Sequence, residues 1–348
     1  MPIGPLRILL SAALFGGGAV LSAQPPAAPA QGAAAAPGSP RDAALAAAPA
    51  RQAPAPGSTL RQADARVAAV AYRLASAGAP LCTVHQPLTG LLFHHLAEYA
   101  PADRPAMIAR HGLDRGPGIL TVLEGSPAAE AGLIAGDVLL AVNGRAFESG
   151  ARPAAERKRK RWRERTDAAE RQLEDALRAG PATLRLLREG RELTVTLRAR
   201  PACPGRVRLA RSSQVNAFAN GRTVVMTTAM LDFLASDDEL AIVLGHEMSH
   251  NILGHPSSRE DEGLLAGLGI EASAKWKREE AADRFGLRLA HAGGYDLDAA
   301  IPFWRRYLGK YDWFPQIFRS HPSLGARERI ASEEIAAIRA GAATAGRP

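Results

Sequence analysis

The chain has 348 residues, 47% of them apolar, and carries a formal net charge of +8. That length fits two domains, or one with appendages, and the apolar content is enough to bury a core, which excludes a wholly disordered chain. The positive balance admits nucleic acid or an anionic membrane surface as a partner until the charges are located.

Residues 1–23 read as a secretory signal. Arg7 supplies the positive start, Ile8 to Leu21 an apolar run and Ala23 a cleavage point. The run is shorter than the roughly 20 residues of a membrane span. Export to the periplasm is therefore expected, with an uncleaved N-terminal membrane anchor as the alternative. Residues 24–58 are Ala and Pro with little else and are expected to be a disordered tether. Residues 59–114 are read as a helical segment. One helix is predicted from Leu60 to Ala77, with Val67, Val70, Ala71 and Leu74 on one face. A second is predicted from Leu88 to Tyr99, carrying His94 and His95 as structural residues. Cys82 and Cys203 are the two cysteines. In an oxidising compartment they are expected to form a disulfide; two unpaired buried thiols are the alternative.

The stretch GILTVLEGSPAAEAGLIAGDVLLAVNG, Gly118 to Gly144, predicts a strand over Ile119–Leu123 and a short helix capped by Ser126 and opened by Pro127. A strand over Val138–Val142 and a tight Asn143-Gly144 turn follow. A helix from Ala168 to Ala179 and strands Thr183–Arg188 and Glu192–Leu197 complete the unit. This segment resembles a PDZ domain of the bacterial protease-associated kind, over about residues 115–200. The resemblance implies peptide capture by strand addition, with Gly116-Pro117-Gly118 where such domains hold a peptide carboxylate. Residues 152–165 form a basic insertion, expected to be helical. Seven of the nine residues from Arg157 to Arg165 are basic. A solvated helical face accounts for such a run, and contact with anionic lipid or an acidic partner is the functional alternative. Because this run supplies most of the net charge, nucleic acid is not an expected partner.

From 201 to 340 the texture changes, and 341–348 reads as a flexible tail. Val215–Ala219 and Arg222–Thr227 flank Asn220-Gly221 and predict a hairpin. Ser236 and Glu239 form a capping box opening a helix that Gly254 and Pro256 end. That helix carries GHEMSHNILGH. His246 and His250 are four apart, about 400° around a helix, so both rings leave one face a turn apart. This is the HExxH spacing of two zinc ligands with Glu247 as general base. His255 is nine residues from His246, about 900° of rotation, and would point away from the metal if the helix continued. It is read as a helix-terminus residue. A third ligand should come from a second helix, and REEAADRFG, Arg278 to Gly286, offers one. There Glu279 would bind zinc and Asp283 would hold a ligating His, while Ala281 and Ala282 let the helices approach. An exposed charged face is the alternative for such a Glu-Glu pair.

HEMSH, EEAAD and SHPS (Ser320–Ser323), in that order and preceded by VNAFA, resemble the gluzincin family of the CAAX prenyl proteases, HtpX and BepA. The resemblance spans about Val207 to Ile330. It implies an α+β fold: a mainly helical, zincin-like protease domain with a small β hairpin, joined here to a PDZ-like β/α domain. It implies one Zn2+ per chain, held by His246, His250 and Glu279, with Glu247 as base. The strand of Asn216, Ala217 and Phe218 would lie beside the substrate. His321 would lie near the zinc, either supporting the oxyanion or occupying the open metal position. The expected activity is endopeptidase cleavage of unfolded or misassembled envelope proteins. A chaperone or membrane-surface adaptor is the rival reading, and oligomeric state is left open.

Overall fold

The structure, a computed structural model, describes residues 58–150, 163–255, 270–311 and 323–341. The signal segment, nearly all of the tether, most of the basic insertion and His321 lie outside the described residues. The chain divides into two units, Met1–Ala53 and Pro54–Pro348, and every described residue belongs to the second. Among the described residues no helix is long and apolar enough to cross a membrane.

Helix α1 (Ser58–Ala77) buries Val67, Val70, Ala71 and Leu74 along one face, as its apolar spacing requires. Strands β1 (Gln86–Leu88) and β2 (Leu91–His94) follow, then α2 (Arg104–His111), which Gly112 ends in a left-handed conformation, φ 62°. The helix expected from Leu88 to Tyr99 does not form. Gly90 sits at φ 76°, and a Cβ there would meet Ser126 Cβ at 2.2 Å. The segment is instead claimed by antiparallel pairing of β2 with the next strand. A short apolar run of this kind has no period long enough to separate helix from strand, and the sheet decides. His95 is extended and caps the turn beyond it, accepting from the Ala97 N–H.

The PDZ-like unit is built on a sheet of order β2-β3-β4-β6-β7, with β5 paired to β4. Its strands are β3 (Gly118–Val122), β4 (Val138–Val142), β5 (Arg145–Ala146), β6 (Ala182–Arg188) and β7 (Arg191–Leu197). Helix α3 (Pro127–Glu130) starts with the Ser126 side chain accepting from the Ala129 N–H. Asn143 and Gly144 turn the chain at φ 47° and 79°, the positive pair of a primed hairpin turn. Helix α4 (Glu164–Arg178) lays Ala169, Leu173 and Leu177 on the sheet, in a core with Phe93, Ile119, Leu139, Leu184 and Leu186. Gly116-Pro117-Gly118 is buried, and Gly118 pairs with both His94 and Val138, so the expected carboxylate cradle is internal to the sheet. The outer strands of that order are β2 and β7.

Strand β8 (Arg200–Ala202) returns to pair with β1. A second sheet follows, of order β10-β11-β9: β9 (Val207–Ala210), β10 (Ala217–Ala219) and β11 (Val224–Thr227). The expected hairpin forms around a longer turn than two residues, since Ala219 pairs with Val224 and Asn220 Oδ1 accepts from the N–H groups of Arg222 and Thr223. Helices α5 (Thr228–Phe233), α6 (Asp237–Ile252), α7 (Ile270–Ala292), α8 (Ala300–Tyr311) and α9 (Leu324–Arg339) complete the molecule. One core joins Leu74, Met226, Leu240, Leu244, Met248, Leu289 and Phe303. Helix α1 belongs to this core, so the PDZ-like unit is inserted between α1 and β9. Cys82 and Cys203 are bonded, with Cα atoms 5.6 Å apart, where the chain leaves and rejoins that core. The whole is an α+β fold.

Candidate metal centre

Two helices carry the site. Ser236 caps α6 by accepting from the Glu239 N–H, and the Glu239 carboxylate reaches back to the Ala235 N–H. The first bond satisfies a donor that the first turn leaves without a helical partner, and the second ties down the residue before the cap. Glu239 is also held by Arg306 of α8 across 2.9 Å. Helix α6 crosses α7 at two glycines: a Cβ on Gly245 would meet Gly286 O at 2.7 Å, and one on Gly286 would meet His246 N at 2.7 Å. Expected of Ala281 and Ala282, the close approach is made by glycine, and of that alanine pair only Ala282 is buried.

This crossing sets three side chains from two helices around one point. His246 Nε2 and His250 Nε2 lie 3.3 Å apart. His246 Nε2 is 3.5 Å from Glu279 Oε2, and His250 Nε2 is 3.5 Å from Glu279 Oε1. These three residues form a group that could hold a metal ion. Tetrahedral bonds of 2.0–2.1 Å place ligand atoms about 3.3 Å apart, so the donors fit zinc in type and spacing. Glu247 is buried beside His246 on α6.

The outer contacts orient the ligands. His246 Nδ1 faces Asp283 Oδ1 at 2.8 Å, which leaves Nε2 for a metal. Arg327 of α9, itself buried, donates to Asp283 across 2.6 Å and lies 3.5 Å from Glu279 Oε2. Its guanidinium stacks 3.8 Å over the Trp304 ring. Burial works to lower the His246 pKa, but the Asp283 carboxylate and then Glu279 outweigh it and raise it to about 10. Burial works to raise Asp283, but Arg327 and His246 hold it below the ordinary carboxylate range. A metal ion entering the site would take the place of that imidazolium proton.

Arg327 is the residue that sequence reasoning passed over. Its signal was a cation on the apolar face of α9, in step with Ile330, Ala331, Ile335 and Ile338. His255 is not turned away from the site. Gly254 adopts φ 68°, and His255 Nδ1 comes to 3.0 Å from His250 Nδ1. Ala217 and Phe218 lie on β10, with Asn216 just before it, against α6 and at the outer edge of its sheet, and Phe218 is 41% exposed. At the end of the basic run, Arg163 lies 4.0 Å from Glu98, and Arg165 donates to Ser149 O across 3.2 Å. Those two cations are turned to the protein itself. His321 lies outside the described residues.

Residues 183–266 and 262–335 match peptidase family M48, and residues 118–152 match a PDZ domain. Among solved structures the chain is similar to the HtrA3 PDZ domain in its crystal structure with a phage-derived ligand (FGRWV). The identity is 17%, over 34% of this chain and 89% of that one, with a TM-score of 0.24. No curated protein matches. An M48 peptidase region and a PDZ domain are therefore both present, and M48 peptidases are zinc-dependent.

Proposed function

We propose that this chain is a zinc-dependent endopeptidase of the soluble, exported kind, nearest within its family to the CAAX prenyl protease, HtpX and BepA group. The observation that carries the reading is the ligand set itself: three residues from two helices, with the His246 and His250 Nε2 atoms 3.3 Å apart and each 3.5 Å from one Glu279 carboxylate oxygen, beside a buried glutamate.

His246, His250 and Glu279 would hold the ion. Bound zinc would supply a water of pKa about 7 and a Lewis acid for a peptide carbonyl. Glu247 takes the proton of the attacking water and passes it to the leaving nitrogen. Asp283 keeps His246 Nδ1 engaged, and Arg327 balances the charge of the two buried carboxylates. Asn216 and the outer edge of β10 at Ala217 and Phe218 align an extended substrate by strand addition. His321 acts at the same cleft, as oxyanion support or as a removable metal ligand. Its variant His321→Ala should change turnover without changing zinc content.

The substrates of this reading are unfolded or misassembled envelope proteins, which present extended backbone, and the PDZ domain recruits or gates them. The basic run before Arg163 offers a contact with an anionic membrane surface. Cleavage of casein by the purified protein, with and without a chelator and with zinc restored, tests the activity. Activity that survives complete removal of zinc would rule the reading out.

A further inference from the structure

Nine histidines are spread over the chain, and three fall between His246 and His255. Two of them are metal-ligand candidates, and the third has no part in the chemistry above. Its position follows from how α6 ends. Leu253 N–H donates to Ser249 O across 2.9 Å, Gly254 turns left-handed at φ 68°, and His255 N–H donates to His250 O across 2.9 Å. This last bond is the 6→1 bond of a Schellman ending. Such an ending brings the side chain after the glycine onto the residue three from the helix end, usually as an apolar contact. Here the pair is His255 and His250. Their rings are 5.0 Å apart at 68°, with Nδ1 to Nδ1 at 3.0 Å.

That contact is on the far side of the His250 ring from its metal-facing atom. Nε2 is the atom that lies 3.3 Å from His246 Nε2 and 3.5 Å from Glu279 Oε1. A neutral imidazole bears one proton, so Nε2 has a free lone pair only when Nδ1 carries the hydrogen. Two Nδ1 atoms at hydrogen-bond distance need one donor and one acceptor. With His250 Nδ1–H as donor, His255 Nδ1 accepts and His255 Nε2 carries its own proton. Asp283 stands in the same relation to His246.

We propose that His255 is a positioning residue for zinc: by accepting from His250 Nδ1–H it fixes the ring and the tautomer whose Nε2 meets the metal. The inference rests on the reading of this site as a zinc centre. The two ligand histidines are then held unequally, His246 by a buried anion and His250 by a neutral ring. His250 also keeps 15% of its side chain exposed, against 4% for His246. Loss of an outer-shell partner weakens metal binding by roughly 10–100-fold, and the lower end of that range is expected here.

The test is zinc affinity, measured by competition with a chromophoric chelator, for wild type, His255→Phe and His255→Asn in the full chain. Phe keeps an aromatic ring and removes the acceptor. Asn removes the ring and keeps an oxygen acceptor at the δ position. The expected result is zinc binding roughly tenfold weaker for His255→Phe and close to wild type for His255→Asn. Unfolding of the zinc-free proteins, followed by circular dichroism, reads any purely structural effect separately. Wild-type affinity in His255→Phe, or equal losses in Phe and Asn, would overturn the inference alone. A wild-type chain that takes up no zinc would overturn the reading of the site, and this inference with it.

Discussion

Arg327 and Asp283 form an ion pair 2.6 Å long in which both side chains are almost wholly buried. The pair stands directly behind the metal-ligand candidates, since Asp283 also contacts His246 and Arg327 also faces Glu279. Removing one partner of a buried pair leaves the other charge without compensation, a loss of about 3–5 kcal/mol. Arg327→Met should therefore lower the stability of the zinc-free protein by that order, measured by denaturant unfolding in a chelator. It should also weaken zinc binding, because Asp283 and Glu279 lose the cation that holds them in place.

The glycine crossing makes a sharper geometric prediction. In Gly286→Ala the new methyl would meet backbone atoms of Gly245 and His246 at 2.7–3.0 Å, and none of them can rotate away. Helices α6 and α7 must separate, at about 1–3 kcal/mol, and the ligands from the two helices must separate with them. The control is Gly309→Ala on α8, where a Cβ meets nothing within 4 Å. It should be neutral or stabilising by up to about 1 kcal/mol. Melting temperature and zinc stoichiometry of the two variants should diverge.

How far the site was legible in the sequence divides along the same line. HExxH lies within one helix, where spacing alone sets the face; the Glu279–Asp283 spacing by itself equally fits an exposed charged face, and the presence of HExxH and the resemblance are what single it out. Arg327 reaches Asp283 across 44 positions, and only the docking of α9 onto α7 brings them together. His255 does lie just past the end of α6, as its reading as a helix-terminus residue has it, but only the left-handed Gly254 brings its ring onto His250, and that turn of direction is not set by helical spacing. Strand β2 has only three apolar positions, Leu91, Leu92 and Phe93, too few to distinguish the helical from the strand period, and its partner β3 starts 24 residues later than β2 itself ends. Local patterns were readable and so was the Cys82–Cys203 bond, the only pair two cysteines allow, whereas the β2–β3 and α7–α9 pairings were not.

The Cys82–Cys203 bond closes a loop with a sequence separation of 121 and ties the segment after α1 to the strand that re-enters the peptidase core. Chain-entropy arguments assign a loop of that size about 4–5 kcal/mol. Cys82→Ser/Cys203→Ser should lower the unfolding midpoint in denaturant by a matching amount. Reductant should lower wild type and leave the double variant unchanged.

His246 gives a pH signature in zinc-free protein. Its pKa is raised from 6.5 to about 10, chiefly by Asp283 acting against burial. A raised folded-state pKa adds stability that is fully present below pH 6.5 and lost as pH climbs through about 10. Zinc would replace that proton and so remove this loss. The melting temperature of chelated protein should fall across the window from 6.5 toward 10, while that of zinc-loaded protein stays flatter. Parallel curves for the two forms would contradict the coupling of His246 to Asp283.

In the proposed reaction Glu247 drives peptide hydrolysis beside a zinc ion held by His246, His250 and Glu279. Glu247→Gln tests it most directly, with zinc content and casein cleavage measured on the same preparation. The amide cannot accept the proton of water, while the three ligands are untouched. One zinc per chain with hydrolysis reduced by about 100-fold or more is the predicted result. Full zinc content with wild-type turnover would contradict the account.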